Sequence, residues 1–383
     1  MAKKIVIGVG IASHPVSAAG NTWAFLNWVL GFREAGWEVW MVEEIDADRC
    51  IDKNWKPTPY ETSANRRYWE TICNEFDLAN QATLLLLGQE NRCESVKKFA
   101  QEADLFLNIS GHFKNQTLAM PRAKRIYLDL DPAFTQIWSE VYDSNMNFKG
   151  HDIFFSVGTR LGQEGTQAPT CGISWHPTFP PVVLRYWPYE SHSTFTKFST
   201  VAHWQGYPWC EWQGQWYKGK NDEFIRWVEL PQKVATSFEI ATDIEAYAEE
   251  LSPFRKAGWQ FKNAKEISEK SINHQNYICS SSAEFSAAKG GYVLSQTGWF
   301  SDRSVCYLAS GRPVVLQDTG ISQVLPVGKG LHTFSTLAEA QQSCEKVCQN
   351  FAEEQKVARQ LAERYFDSHV VIAKMLENLQ FKG

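Results

Sequence analysis

Short apolar runs alternate with longer amphipathic stretches along the first half of the chain. That alternation predicts strands and helices in turn, and hence a parallel sheet covered on both faces. Residues 5–10 (Ile-Val-Ile-Gly-Val-Gly) make the first strand, 21–35 a helix closed by Gly36, and 38–42 the next strand. Further strands are expected at 104–109, 125–129 and 153–157, and 83–87 reads equally as strand or helix. Helices are expected at 63–76 and 94–102. A Pro-rich stretch from His176 to Pro188 interrupts the alternation and marks a domain connection. Beyond it, strands are expected at 199–203, 238–241, 292–295 and 313–316, and helices at 221–228, 243–251 and 301–309. Residues 275–280 read as a helix end, and a long amphipathic helical region runs from 337 to 379.

A chain of 383 residues exceeds one ordinary core and fits two α/β domains. The opening Met-Ala-Lys-Lys gives the first strand a superficial likeness to a signal peptide. Its apolar run is too short and β-branched, however, and ends at His14-Pro15 without a small-residue cleavage site. No run of eighteen apolar residues predicts a membrane span. A net charge of -5 disfavours nucleic acid as the main partner. The nine cysteines have no regular spacing, which fits a reducing, cytoplasmic setting better than a disulfide framework. There the sequons at Asn108 and Asn115 carry no meaning. Most of the sixteen tryptophans are expected to pack in the interior, although an indole face also stacks on a sugar ring.

Three segments of the first half carry candidate chemistry. The loop from Gly8 to Gly20 is rich in small residues and opens a helix, so a ligand can approach its backbone and an anion is favoured there. It lacks the third glycine of a dinucleotide fingerprint, and Glu43 and Glu44 lie too far along for the ribose acid. It reads instead as an acceptor loop, with Ser13, His14 and Gly20 as contacts, or as an ordinary β–α turn. Asn108-Ile-Ser-Gly-His112 follows a strand and puts His112 at the sheet's carboxyl edge, as a base or a hydrogen-bonding group. Asp129-Leu-Asp131-Pro132 also ends a strand. Its two carboxylates are open to four roles: catalytic base, acceptor contact, cap of the next helix, or metal ligands.

The segment with most chemistry lies near the carboxyl end. Glu284 to Tyr292 contains Lys289, and Thr297 to Gly320 reads as loop, helix, Gly-Arg-Pro turn, buried strand and Gly turn. Ser301 is placed to cap that helix, whose free N–H groups suit a phosphate. Lys289 and Arg303 supply positive charge for a diphosphate without a metal.

Residues 301–316 resemble the donor motif of the GT-B glycosyltransferases, an acidic helix followed by Ala-x-Gly-x-Pro-Val-Val. The resemblance spans roughly residues 197–379, and the first half is similar in pattern only. It implies two Rossmann-like domains facing a cleft, residues 1–193 for the acceptor and 194–362 for the nucleotide sugar. A final helix within 363–383 would return to the first domain. It implies transfer of a sugar from a nucleotide donor, with neither metal nor cofactor. By position, Ser301, Asp302, Arg303 and Ser304 would meet the diphosphate, and Asp318, Thr319 and Gly320 would line the same site. Gly206, in an aromatic loop running from His203 to Trp216, would offer its backbone to the donor, with the aromatics as a stacking wall or packed on one another. An inverting mechanism would draw its base from His112, Asp129 or Asp131. The family's ribose-binding Glu is replaced by Cys306. A sugar-nucleotide epimerase of the same fold and a non-catalytic nucleotide-sugar binding protein are the alternatives.

Overall fold

A computed structural model describes residues 3–15, 18–89, 93–114 and 118–379. The second sequon, 115–117, and two positions of the first loop, 16–17, lie outside the described residues.

The first half builds one parallel sheet from β1 (Lys4–Gly8), β2 (Glu38–Ile45), β3 (Ala82–Leu86), β4 (Leu105–Ile109), β5 (Lys124–Asp129), β6 (Ile153–Ser156) and β7 (Trp175–Pro177). Its spatial order is β3-β2-β1-β4-β5-β6-β7. The second half begins with β8 (Lys197–Val201), followed by a small antiparallel hairpin of β9 (Cys210–Trp212) and β10 (Gln215–Tyr217). Its sheet is completed by β11 (Ser237–Thr242), β12 (Gln260–Asn263), β13 (Ala283–Ser286), β14 (Val314–Gln317) and β15 (Leu331–Phe334), in the order β12-β11-β8-β13-β14-β15. Both orders are doubly wound and reverse once, between β1 and β4 and between β8 and β13. Ligands of such sheets bind outside the carboxyl ends of the strands at those reversals.

The ambiguous segment 83–87 is a strand because it pairs with β2 at the sheet edge. Two expectations fail. Residues 243–251 form turns rather than a helix; the helix is Ser252–Ala257, where Pro253 takes the first turn in which its missing N–H costs nothing. Residues 292–295 belong to the helix Gly290–Ser295, and the strand is β13, whose buried Glu284 hid it from a hydrophobic pattern. The hairpin, β7, β12 and β15 had no clear apolar signal.

The helix Ala19–Glu34 is apolar around most of its circumference, which marks a helix buried on several sides. It packs against Ser368–Asn378 at the chain's end and against Ser271–Ser280 and Asp302–Ala309 of the second half. One apolar core therefore runs through both halves, from Ile7 and Trp28 to Val314 and Leu331. A second join lies beside the strand reversals. Gly158 bridges to Trp299, Arg160 N–H donates to the Thr297 carbonyl at 2.8 Å, and Gln167 N–H to that of Ser295 at 2.8 Å. Phe134 of the first half is clasped by Tyr207 and Tyr292 of the second, in edge contacts at 5.5 and 5.4 Å. It lies so close to Gly291 that a Cβ there would stand 2.4 Å from its Cζ.

Gly291→Ala is therefore expected to cost about 1–3 kcal/mol by overpacking. Phe134→Leu in the same chain should recover part of that loss. Urea denaturation of the single and double variants checks it, and additive losses would contradict the fit.

Candidate active site

The first loop is held from within. Glu43, at the end of β2, is buried, and its Oε2 accepts the N–H groups of Ile11 and Ala12 at 2.6 and 2.7 Å. Its Oε1 accepts the Ser13 N–H at 2.7 Å and the Ser13 hydroxyl at 2.6 Å. Burial pushes this carboxyl up to about 7, and the four donors pull against it. The expectation of a loop whose backbone awaits an anion is corrected here: those three N–H groups already serve the protein's own carboxylate. Ser13 and His14 are nevertheless exposed, and the His14 Nδ1 lies 3.4 Å from the Gly10 carbonyl. Gly20 sits in the first turn of the helix Ala19–Glu34 under the imidazole of His274, where a Cβ would come within 3.1 Å of Cε1. His274 is buried, its Nδ1 without a hydrogen bond, and burial pushes it down to about 3.

His112 stands at the end of β4 with its ring over Gly10 and edge-on to Phe25. Burial, helped by nearby His14, pushes the imidazole down to about 4, so it is neutral at pH 7.

Asp129 and Asp131 have different fates. Asp129 is fully buried and accepts from Thr135 Oγ1 (2.7 Å), Gln136 Nε2 (3.1 Å), Ser156 Oγ (2.8 Å) and the Asp131 N–H (3.0 Å). As a catalytic candidate it is corrected: every lone-pair direction is occupied by the loop that it organises. Asp131 faces the second half. Its Oδ1 accepts from Lys289 Nζ at 3.2 Å and from the Tyr292 hydroxyl, and its Oδ2 from the Tyr207 hydroxyl at 2.8 Å. Burial works to raise its pKa, but Lys289 and the two hydroxyls outweigh it and hold the carboxyl below its usual range. The Lys289 ammonium also lies 3.4 Å from the centre of the Tyr207 ring, a cation–π contact.

Across the cleft the second sheet presents a cluster of charge. Arg303 donates Nε to Glu284 Oε1 at 2.7 Å, Nη1 to the Val201 carbonyl at 2.8 Å and Nη2 to Ser286 Oγ at 2.7 Å. Its fork thus faces inward, tying the helix Asp302–Ala309 to β8 and β13. Lys220, which sequence reasoning missed, is buried at the first position of the helix Lys220–Phe224. Burial, reinforced by Arg303 and Lys289, holds its pKa well below the usual lysine value, while Glu284 and Asp302 oppose the shift. Four charged side chains from three segments, Glu284 of β13, Lys289, and Asp302 with Arg303 at one helix start, therefore act on its ammonium. The sequence signal was present in Lys218-Gly-Lys220, but the hairpin separates it from β8 and concealed its return to the cleft.

Ser301 precedes the helix Asp302–Ala309 and makes no side-chain cap, so the first turn keeps its N–H groups. Ser301 and Ser304 line a cavity of about 10 Å³ with Ser286, Trp299 and Gln317, the size of a single water site. Gly206 takes φ +71°, and a Cβ there would stand 3.7 Å from Lys289 Cε. Asp318 turns away from the cavity and accepts from Gly320 N–H and from Ser322 N–H and Oγ. Thr319 is buried and donates to the Trp299 carbonyl, and Gly320 has φ +89°. These three residues shape the turn that follows β14.

Three solved structures have the same arrangement over nearly their whole length. AviGT4, a glycosyltransferase of avilamycin A biosynthesis, superposes with a TM-score of 0.57 at 11% identity, covering 99% of this chain and 97% of its own. HepE of Anabaena, in complex with UDP-glucose, gives 0.55 at 11% identity over 98% and 99%. The trehalose-6-phosphate synthase OtsA gives 0.53 at 10% identity over 100% of both chains.

The fold is that of the GT-B glycosyltransferases.

No family model and no curated protein matches the chain in sequence. Cys306, expected at the place of a ribose-binding Glu, is buried in the core that both halves share. No helix among the described residues is long and apolar enough to cross a membrane.

Two outcomes test this geometry. Arg303→Met should cost about 3–5 kcal/mol, because it leaves Glu284 buried and uncompensated. Adding Glu284→Gln should restore a good part, and a double variant whose loss is the sum of the singles would show that the pair is not coupled.

His112 and His274 are neutral in the folded chain at pH values where an unfolded histidine, of ordinary pKa 6.5, takes up a proton. The unfolded chain therefore binds more protons as pH falls from about 6.5 toward 4 and 3, and stability falls with it. Each unit of depression is worth about 1.4 kcal/mol. His274→Leu should flatten the stability profile between pH 7 and pH 4. A profile as steep as the parent's would mean that His274 is not held neutral.

Proposed function

We propose that the chain transfers a glycosyl group from a nucleotide-sugar donor to an acceptor held by the first half, without a metal ion. The observation that carries this reading is that the segments of Lys220 and Lys289 are joined, Gly290 N–H to the Gly219 carbonyl and Gly291 N–H to that of Lys218, both at 3.2 Å, while the uncapped first turn of Asp302–Ala309 carries charges that act on Lys220. Two ammonium groups and a helix amino terminus suit a diphosphate and stabilise the charge that builds on it as it leaves. Ser301 and Ser304 offer hydroxyls in the adjoining cavity, and Gly206 its backbone. Arg303 acts here by holding Glu284 and the helix in place. Asp302, at the helix start, completes the charge cluster.

Metal independence is supported by commitments of the carboxylates. Asp129 is saturated by hydroxyl, amide and backbone donors, and Asp131 by a lysine and two tyrosines. The exposed Ser13 and His14, with Gly20 behind them, form the acceptor side. HepE is described in complex with UDP-glucose, which makes a uridine diphosphate sugar the first donor to try.

Asp131 and the donor diphosphate compete for Lys289 in this scheme. Binding of donor draws the ammonium away, and Asp131, relieved of its strongest partner, becomes a better base for an acceptor hydroxyl in an inverting reaction. His112, neutral but weakly basic, is then an orienting group.

Incubation with a panel of nucleotide sugars should release free nucleotide and form a glycoside, with EDTA making no difference. An altered sugar would indicate an epimerase, and no change a binding protein. Lys220→Ala should weaken donor binding ten- to a hundredfold, the loss of one charge-assisted contact of about 1.5–3 kcal/mol. Asp131→Asn, by freeing Lys289, should bind nucleotide more tightly and transfer more slowly. Calorimetry showing weaker binding in Asp131→Asn would refute the competition.

A further inference from the structure

We propose that the outward face of the β9–β10 hairpin, on the second half, is a platform for the outer sugars of an acceptor whose reacting end lies at the first half, a carbohydrate of more than one pyranose ring, and this rests on the glycosyl-transfer reading. The hairpin is short and closes through Gln213 and Gly214, both at positive φ (51° and 73°) as a tight two-residue turn demands. Its register pairs Cys210 with Tyr217, Glu211 with Trp216 and Trp212 with Gln215. Side chains alternate across such a ribbon. Cys210 and Tyr217 turn inward and join the buried cluster around Phe134 and Tyr292. Trp209, Glu211, Trp216 and Lys218 fall on the opposite side.

That outward side is unusual. Trp209 and Trp216 are 53% and 52% exposed, in a chain that buries eight of its sixteen tryptophans. Trp209 is held in place rather than loose at the surface. The Trp209 indole N–H donates to Asp222 Oδ2 at 3.0 Å, and the Lys218 ammonium stands 4.9 Å from its ring centre. Trp216 lies directly across the ribbon from Glu211. The result is two exposed aromatic side chains beside the Glu211 carboxylate, the Lys218 ammonium and the amide of Gln213. The C–H faces of a pyranose pack on such rings, and its hydroxyls bond to polar groups of this kind at the rim. Beside the platform, Val141 and Tyr142 face Glu211, Trp212 and Gln213 across an open groove of about 330 Å³, at the lower end of the range for small-molecule sites.

Position gives the platform its role. The same loop that carries the hairpin sends Tyr207 to Asp131 at 2.8 Å, and Tyr217 donates to the Gln167 carbonyl at 2.7 Å. The platform is thereby fixed to the edge of the cleft at which the proposed base stands. A chain of sugars lying on it would enter the cleft from the side of Asp131. The mixed charge argues against a membrane occupant: Glu211 and Asp222 offset Lys218, so anionic lipid finds no basic patch here.

The experiment uses the full chain, with cellotetraose, maltotetraose, chitotetraose and mannotetraose as probes. Calorimetry and indole fluorescence compare the parent with Trp209→Ala, Trp216→Ala, the double variant and Trp216→Phe. The exposed positions should leave thermal melting unchanged. At least one tetrasaccharide should bind, and bind at least tenfold more weakly to the double variant, with Trp216→Phe intermediate and UDP affinity unaltered. With a transferable donor, the acceptor KM should rise while kcat changes little. Equal glycan affinity in all variants, or no binding of any tetrasaccharide, would overturn the platform. So would quenching of these indoles by phosphatidylglycerol vesicles, or a dimer in light scattering that the alanine variants dissolve. Glycan binding without turnover of any nucleotide sugar would keep the platform and remove the glycosyl-transfer reading; turnover indifferent to the tryptophans would do the reverse.

Discussion

The ion pair between Asp131, beyond β5, and Lys289, beyond β13, joins the two halves at the carboxyl ends of their sheets. Two charges withdrawn from water cost several kcal/mol each unless other groups complete their solvation. Here the Tyr207 and Tyr292 hydroxyls complete that of the carboxylate, and the Tyr207 ring lies against the ammonium. The same tyrosines clasp Phe134, and Tyr292 stacks on Trp299, which bridges to Gly158. Electrostatics and packing are thus one structure. A change in either tyrosine would disturb the charge and the seam together.

Most of the fold was legible because its core strands are short, apolar and bounded by turns. β1, β2, β4, β5, β6 and β14 stand out in this way, and glycines or serines mark the ends of their helices. Gly36 and Gly311 follow helices at φ +84° and +68°, and Ser63 caps another by accepting the Arg66 N–H. Legibility failed where burial and hydrophobicity part company. β13 contains Glu284, which is buried because Arg303 neutralises it, and a pattern search sees only a charge. β12 lies at the sheet edge and is half-exposed, so its polar residues look like a loop. The turns at 243–251 have helix-forming residues, but Pro253 starts the helix later.

At the site, residue type was legible and direction was not. Lys289, Ser301 and Ser304 lie at the cleft, because strand ends and helix starts are readable from pattern. Glu43 illustrates the failure. Three consecutive loop N–H groups converge on its carboxylate, and no local rule links residues thirty positions apart. Asp129 and Asp131 differ by two residues, yet one is sealed among hydroxyls and the other crosses the cleft. Only the neighbouring strand β6, with Ser156, and the opposite domain decide between them. Arg303 was expected to face a phosphate because Arg suits one; the buried Glu284 has the stronger claim on its fork.

The shared core has a consequence for how such a site can work. In the sequence, the Pro-rich stretch from His176 to Pro188 marks a connection between two domains. The structure adds a helix buried between the halves, a bridged seam from Gly158 to Gln167 and a close-packed aromatic cluster. Close-packed interfaces resist gradual deformation, since drawing two packed surfaces apart leaves apolar atoms without partners on both sides. Exchange of the Lys289 ammonium from one oxyanion to another disturbs no such packing. It moves one flexible side chain through a few ångströms. In the proposed transfer a diphosphate would carry more charge than the carboxylate that it displaces, and Lys220 would share that charge. On that proposal the seam would direct the response to donor toward side chains at the cleft, with the two sheets held in register around them.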